Sequence, residues 1–471
     1  MNWSQRQNSV ERLCFLPFSL SLIAVMLLLA GCKGIQTAEE KKARADSRSV
    51  AEQYRPHAQP PHLPELKADS PFEDYLRFAI LNQPQVEAAY YDWLGSIERI
   101  TQQRSLPDPR LTFEMYMQET ITSLMPGLMM DFPGPGKLPA RAKLAAAESD
   151  TKYFAFESSV LQAAFALKKS FFKLHFLDER IQVNHQTLEL LSELEKLARA
   201  QNEVGKVTLQ DVLRAQIEQD RLKTEVANLE DSCNSLLAQF KAALGLRADQ
   251  STPPVPKGFA SAPLDLSSKD LLQAALERNP RLKGMAAEVY RAEASLALAR
   301  KSRVPDFTAG FEADVKPSPI IWNPQFSVTL PIWRDKIAAE IAEAQGGKRA
   351  AQARLSSEQI ALAVDFAEKS FMYREATRNI NLLQEQLIPK QRQSLQVARS
   401  GYVAGQIDFF NLTDAEQTLL RFSLAEVEAH EQRELALAEL SLMILGVPPS
   451  GAPFRAAVNE ISAQRGHSSR K

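Results

Sequence analysis

Residues 110–118 read Arg110-Leu111-Thr112-Phe113-Glu114-Met115-Tyr116-Met117-Gln118, and 306–316 read Asp306-Phe307-Thr308-Ala309-Gly310-Phe311-Glu312-Ala313-Asp314-Val315-Lys316. In the first, Leu111, Phe113, Met115 and Met117 alternate with Arg110, Thr112, Glu114 and Tyr116. In the second, Phe307, Ala309, Phe311, Ala313 and Val315 alternate with Thr308, Gly310, Glu312, Asp314 and Lys316. Period two means a strand with one apolar and one polar face. A return run follows each: Leu128, Met130 and Phe132 against Met129 and Asp131, then Phe326, Val328 and Leu330 against Gln325, Ser327 and Thr329. Runs of about ten residues have the length of transmembrane β-strands whose polar side faces a lumen. A soluble sheet with one solvated face gives the same alternation. Four such strands are too few to close a barrel, so the barrel reading requires several copies of the chain.

The strand pairs belong to a larger duplication. Asn82-Gln83-Pro84 returns as Arg278-Asn279-Pro280, a shift of 196. Pro107-Asp108 returns as Pro305-Asp306, Lys137-Leu138 as Lys336-Ile337, Gly205-Lys206-Val207 as Gly405-Gln406-Ile407, and Leu244-Gly245 as Leu445-Gly446. The shift grows only from 196 to 201, so two units of roughly 200 residues repeat with small insertions. That is too long for a short solenoid repeat. Each unit reads helix, strand, strand, long helix, turn, long helix; the first spans 71–250 and the second 266–447.

The corners Phe132-Pro133-Gly134-Pro135-Gly136 and Leu330-Pro331-Ile332-Trp333 stop the second strand of each pair and redirect the chain. A helical pattern then runs from about Leu138 to Asn202, without Pro or Gly after its first turn. At ~1.5 Å per residue it extends roughly 95 Å. Val160, Ala164, Leu167, Phe171 and Leu174 step 4-3-4-3, and Leu222, Val226, Leu229, Cys233, Leu236 and Phe240 continue the spacing on the return helix. Such heptad seams need partner helices along their length. Cys233 sits in its seam as a small apolar residue. In the second unit Gly346-Gly347 and Pro389 lie in the long helix, and Pro389 is expected to bend it.

Composition bounds the rest. The chain has 471 residues, with 56 basic against 57 acidic side chains and a net charge of -1. That balance offers no basic face for nucleic acid. Three Cys make no disulfide scaffold. Residues 1–31 carry Arg6 and Arg12, an apolar stretch from Leu13 to Ala30, and then Gly31-Cys32. This is the layout of a secretory signal, with a membrane-spanning signal anchor as the alternative. Small residues directly before Cys32 resemble the bacterial lipobox, which implies cleavage there and a covalent lipid on Cys32. Lys33, where an inner-membrane lipoprotein would carry Asp, implies passage to the outer membrane. Residues 32–70 are polar, with Pro56, Pro60, Pro61 and Pro64, and are expected to form a lipid-anchored extended linker; 448–471 form a polar tail.

The whole constellation resembles the TolC-type outer-membrane efflux family over about residues 70–447. The most specific residues lie at the helix turns: Val204-Gly205-x-Val207-x-x-x-Asp211-Val212-Leu213-x-Ala215-Gln216, and Tyr402-x-x-Gly405-x-Ile407-x-x-x-Asn411-Leu412-x-x-Ala415. The second departs from the first at Ala404, Asn411 and Thr413, so the two tips need not bind alike. The corner from Phe132 to Lys137 looks like the CusC/CzcC branch, which serves heavy-metal pumps of the resistance-nodulation-division type. The resemblance implies a mainly helical protein with transmembrane β-structure. Three copies would form a twelve-stranded β-barrel continuous with a periplasmic α-helical barrel. That homotrimer would sit in the outer membrane as a passive exit duct. A periplasmic adaptor and an inner-membrane pump would complete it, and no cofactor is implied beyond the lipid on Cys32.

The resemblance puts adaptor contact at the hairpin tips, at Val204, Gly205 and Gly405, although the glycines also serve simply to shape a turn. Asp211, Arg214, Asp408 and Asp414 lie within three turns of a tip, and threefold symmetry would repeat each as a ring of charge. They are candidates for a gate; solvated helix faces are the plain alternative. Met115, Met117, Met125, Met129 and Met130 are read as lipid-facing or loop residues, not as soft-metal ligands. The six His, including His175 and His185, lack ligand spacing. No nucleophile–base pair, phosphate loop or carboxylate pair marks an enzyme. A periplasmic adaptor lipoprotein would have one hairpin within a Gly-rich β domain, and a coiled-coil scaffold would not need four amphipathic strands.

Overall fold

The computed structural model describes residues 36–445 apart from 57–58, 60, 68, 118–120, 257 and 260–269. The signal stretch, Cys32 and the tail from Pro448 lie outside the described residues. The first unit runs α2 (Phe72–Asn82), α3 (Pro84–Arg104), β1 (Arg110–Met117), β2 (Ile121–Phe132), α4 (Lys137–Glu203) and α5 (Leu209–Ala243). The second runs α6 (Asp270–Arg278), α7 (Pro280–Ala299), β3 (Asp306–Asp314), β4 (Ile321–Thr329), α8 (Arg334–Leu382), α9 (Ile388–Val403) and α10 (Phe409–Leu445). The duplicated order read from the sequence is the observed one.

The strands form a single antiparallel sheet in the order β1-β2-β3-β4, so pairing of β2 with β3 joins the two units. Register sorts the side chains completely. Leu111 faces Leu128, Leu128 faces Phe311, and Phe311 faces Pro324; Met130, Ala309 and Phe326 form the next row but one. That face is apolar and largely uncovered: Phe113 is 68% exposed, Trp322 64% and Phe326 69%. The opposite face holds Thr112, Asp131, Thr308, Glu312, Asp314 and Gln325, cross-linked by hydrogen bonds. Ser123 donates to Asp314 at 2.6 Å, Thr308 to Asp131 at 2.8 Å and Gln325 to Glu312 at 2.6 Å. Met115 is on the apolar face, whereas Met125 and Met129 fall on the polar one. The lipid-or-loop reading of the methionines therefore fails for those two, because register puts them opposite Glu114 and Arg110.

The turn from β2 into α4 is held from the other unit. The Gly134 amide and the Lys137 ammonium both donate to one oxygen of Asp306, each at 2.7 Å. A Cβ at Gly134 would stand 2.2 Å from the Pro305 carbonyl oxygen, so only glycine permits this approach. Pro139 falls in the first turn of α4, where its missing N–H costs nothing. The 67 residues of α4 extend about 100 Å. Helix α4 packs on α3, α5, α7 and α10. Its expected seam, Val160, Ala164, Leu167, Phe171 and Leu174, is buried throughout.

Helix α8 continues through a π-helical turn, Leu383–Leu387, into α9, where Pro389 sits in the first turn. The π turn absorbs the N–H that proline lacks, so helix continues on either side of a local widening at Pro389. A second expectation is corrected. Residues 38–54 are not extended linker but a helix, α1 (Ala38–Tyr54), packed on α3 and α4. Its Val50 and Tyr54 are buried, and Tyr54 joins an aromatic cluster with Tyr90, Trp93, Tyr153 and Phe156. Burying side chains of that size is worth about 2 kcal/mol each. Completely buried Glu40 adds hydrogen bonds with Arg44 at 3.1 Å, Thr101 at 2.8 Å and Arg104 at 2.5 Å.

Candidate functional site

The far ends of the helical hairpins are built alike. After α4 the Lys206 amide donates to the Gln201 carbonyl and the Gly205 amide to the Asn202 carbonyl, both at 2.9 Å. After α9 the Gln406 amide donates to Gly401 at 2.8 Å and the Gly405 amide to Tyr402 at 3.1 Å. Both are helix ends closed through a left-handed residue. Gly205 has φ +72° and Gly405 φ +73°, which any L side chain resists. A Cβ at either would meet nothing within 4 Å, so backbone conformation alone demands glycine there and the tips stay open on the outside. Val204, 67% exposed, stands beside the first of them.

The second turn differs from the first. Asp408 accepts from the Asn411 amide at 2.9 Å and so caps α10. Thr208, its equivalent, makes no side-chain cap. The expected difference between the tips thus has a structural form, and Asp408 has a job in its own hairpin.

The two tips pack against each other. Val212 and Ala215 of α5 share an apolar cluster with Tyr402 of α9 and Phe409 and Leu412 of α10. The Glu193 carboxylate accepts from Arg399 across the hairpins at 3.2 Å. Over this cluster Arg214 lies 5.5 Å from the centre of the Phe410 ring, a cation–π contact between hairpins. Burial pushes the Asp211 carboxyl above its ordinary value; Arg214 opposes the shift and the Asp408 charge adds to it. Tyr402 is 3% exposed and its hydroxyl has no hydrogen-bond partner among the described groups. Burial, then the Asp211 charge, pushes that phenol up to about 12.

Asp211 lies within electrostatic reach of Arg214 and Asp408, whereas Asp414 does not join them. It is exposed on α10 and lines a separate cavity with Glu218 and Glu416. Tyr402, the first residue of the second tip motif, and Phe410 complete the tip; Phe410 was not singled out by sequence reasoning, because its i, i+8 spacing from Tyr402 across a turn carries no periodic signal. Glu195 was missed as well. It accepts from Arg199 at 2.7 Å, Gln216 at 2.9 Å and Gln219 at 3.2 Å, locking α4 to α5. The Arg199 guanidinium, with the Gln216 amide, holds its carboxyl down at about 2.

Among the described residues no group of three or more His, Cys, Asp or Glu is placed to hold a metal ion. No described helix is long and apolar enough to cross a membrane. The apolar sheet face, the long helices and the paired tips are the features a function must use.

Residues 271–445 match the family model described as outer membrane efflux protein. The cobalt-zinc-cadmium resistance protein CzcC of Cupriavidus metallidurans is 23% identical over 255 residues, 54% of this chain and 60% of that protein. The chain thus matches about three fifths of the length of that curated relative. The outer membrane protein VceC of Vibrio cholerae superposes with a TM-score of 0.67 at 16% identity, covering 79% of this chain and 95% of that one. CusC superposes with a TM-score of 0.71 at 14% identity, covering 80% of this chain and 93% of the other.

Proposed function

We propose that this chain, a TolC-type outer membrane efflux protein by fold and by its matched second repeat, works as the trimeric exit duct of a tripartite efflux system. One observation carries the reading. The four-stranded sheet exposes an unbroken apolar face, gathers its polar groups on the other, and leaves β1 and β4 as open edges. Long apolar edge strands are not left bare in water. Three copies supply twelve strands, pair β4 of one with β1 of the next, and abolish every edge. The apolar face then meets lipid and the polar face lines the pore. Exposed Ile360, Val364 and Phe371 on α8, and Leu209, Leu213 and Ile217 on α5, provide further faces for neighbouring copies.

The tips, about 100 Å from the sheet by helix rise, would reach into the periplasm. Val204, Gly205 and Gly405 are the open positions for an adaptor. Asp211, Arg214, Asp408 and Asp414 remain the gate candidates, and Tyr402 joins them because its buried hydroxyl faces Asp211. The lipid on Cys32 fits this orientation. Glu40 ties the start of α1 to Arg104 at the end of α3, next to β1, so the described chain begins at the sheet end of the molecule. The likeness to CzcC, named for cobalt, zinc and cadmium resistance, supports an inner-membrane pump of the resistance-nodulation-division type.

The test is single-channel conductance of the Cys32-processed protein in a planar bilayer, together with its mass in detergent. A mass of three chains with discrete conductance, shifted by Asp211→Asn, is expected. A folded helical monomer without conductance would overturn the duct and favour a scaffold lipoprotein.

A further inference from the structure

A cavity of about 550 Å³ lies where the two hairpins meet, several turns behind the tips, between α4, α5 and α10. Two of its polar groups are almost wholly enclosed. Glu416 is 2% exposed and its Oε1 has no hydrogen-bond partner; Asn184 is 1% exposed and its Oδ1 has none either. Both oxygens accept hydrogen bonds and neither group is used by the duct. The Asn184 amide nitrogen is already committed to the Arg180 carbonyl at 2.7 Å, which fixes the side chain with its oxygen free.

The surroundings define what would satisfy them. From α5 the cavity receives Glu218, Arg221 and Glu225; from α10, besides Glu416, it receives Asp414 and Arg421. Helix α4 contributes Asn184 and Leu191 and no titratable group to the lining. Helix α9, on the other side of α10, offers the neutral Gln391 to the Ala415 carbonyl. Four carboxyls against two guanidiniums favour a cation when ionised. Leu191, Leu222, Leu420 and Leu424 supply apolar walls. The described residues hold no metal-binding cluster, so the cation must bring its own N–H donors and an apolar body.

We propose that this inter-hairpin cavity is a binding site for a small organic cation of the amidinium or alkylammonium class, held by the Glu416 carboxylate. Burial, reinforced by the Glu218 charge, pushes the Glu416 carboxyl up to about 7. Binding therefore expels about half a proton per site to solvent at pH 7, and the ion pair takes its place. Because three helices from both hairpins line the cavity, an occupied site ties them together. The site stands independently of the duct reading.

Benzamidine is the probe, titrated calorimetrically into the full-length detergent-purified protein at pH 7 in two buffers of different ionisation heat. One site per chain, a buffer-dependent heat corresponding to proton release, and at least tenfold weaker binding to Glu416→Gln are expected. Leu420→Trp fills the cavity without touching its charges and is expected to abolish binding, which keeps the test decisive where Glu416→Gln misfolds. Equal affinity in folded Glu416→Gln or Leu420→Trp, or no binding by folded wild-type protein at millimolar benzamidine, would overturn the site and leave a cavity that holds water only.

Discussion

Single residues at the tips show how far a sequence can speak for itself. Glu416 illustrates the energetic side. Its carboxyl is raised to about 7 by burial and by Glu218, whereas an unfolded Glu titrates near 4.3. A raised folded pKa means the stabilised form is the protonated one. That contribution is complete below the unfolded value and is lost as pH rises through the folded value. Between pH 6 and pH 8 the inter-hairpin seam should lose about 1 kcal/mol. Amide-exchange protection of α5 and α10 beside the cavity, corrected for intrinsic rates, should fall accordingly, and Glu416→Gln should flatten the dependence. Nothing in the chain announced this residue. Its environment is made by burial and by Glu218, which lies about 200 residues away in sequence. Gly205 and Gly405 were legible because the demand on them, a positive φ at a helix end, is local. Glu195 was not, because two of its three partners, Gln216 and Gln219, reach it from the return helix.

Among the elements, the long helix of the first unit was legible to within a residue at either end, since a run free of Pro and Gly after its first turn and with heptad spacing has one stable outcome. Helix α1 was not. Only Ala43, Val50 and Tyr54 of its apolar residues are buried, a sparse stripe in a charged segment followed by prolines, and its docking rests largely on Glu40. Burial works against the Glu40 charge, but the hydrogen bonds from Thr101, Arg44 and Arg104 outweigh it and hold the carboxyl below its ordinary value. A lowered folded pKa gives stability present above the unfolded value and lost as pH falls through the folded one. Docking of α1 should therefore hold at neutral pH and weaken in acid, below the usual carboxylate range. Glu40→Ala leaves Arg104 and Arg44 without their buried partner and should cost about 3 kcal/mol. Limited proteolysis should then cut within 38–54 while the mass in detergent and the helix content stay unchanged. A variant as resistant as wild type would show that Tyr54 and Val50 alone hold the strap.

At the scale of the whole molecule, the question is what the apolar face of the sheet is for. Alternation in the sequence named the two faces, but it could not choose between lipid and a soluble core, since both reward the same pattern. The structure narrows the choice: no described element of the chain covers Phe113, Trp322 or Phe326. Neighbouring positions on β4 let the two faces be tested one residue apart. Phe326 lies on the apolar face opposite Ala309, and Ser327 on the polar face opposite Thr308. An arginine facing the middle of a bilayer costs about 2–4 kcal/mol per strand, and threefold symmetry would charge that cost three times to one barrel. Phe326→Arg should prevent assembly of the membrane-inserted trimer, seen as loss of the three-chain mass from the outer-membrane fraction. Ser327→Arg places the same charge in the lumen. It should assemble normally and lower the cation preference of the single-channel current. If both substitutions assemble alike and neither alters the current, the sheet is not a barrel wall and its exposed face covers something other than lipid.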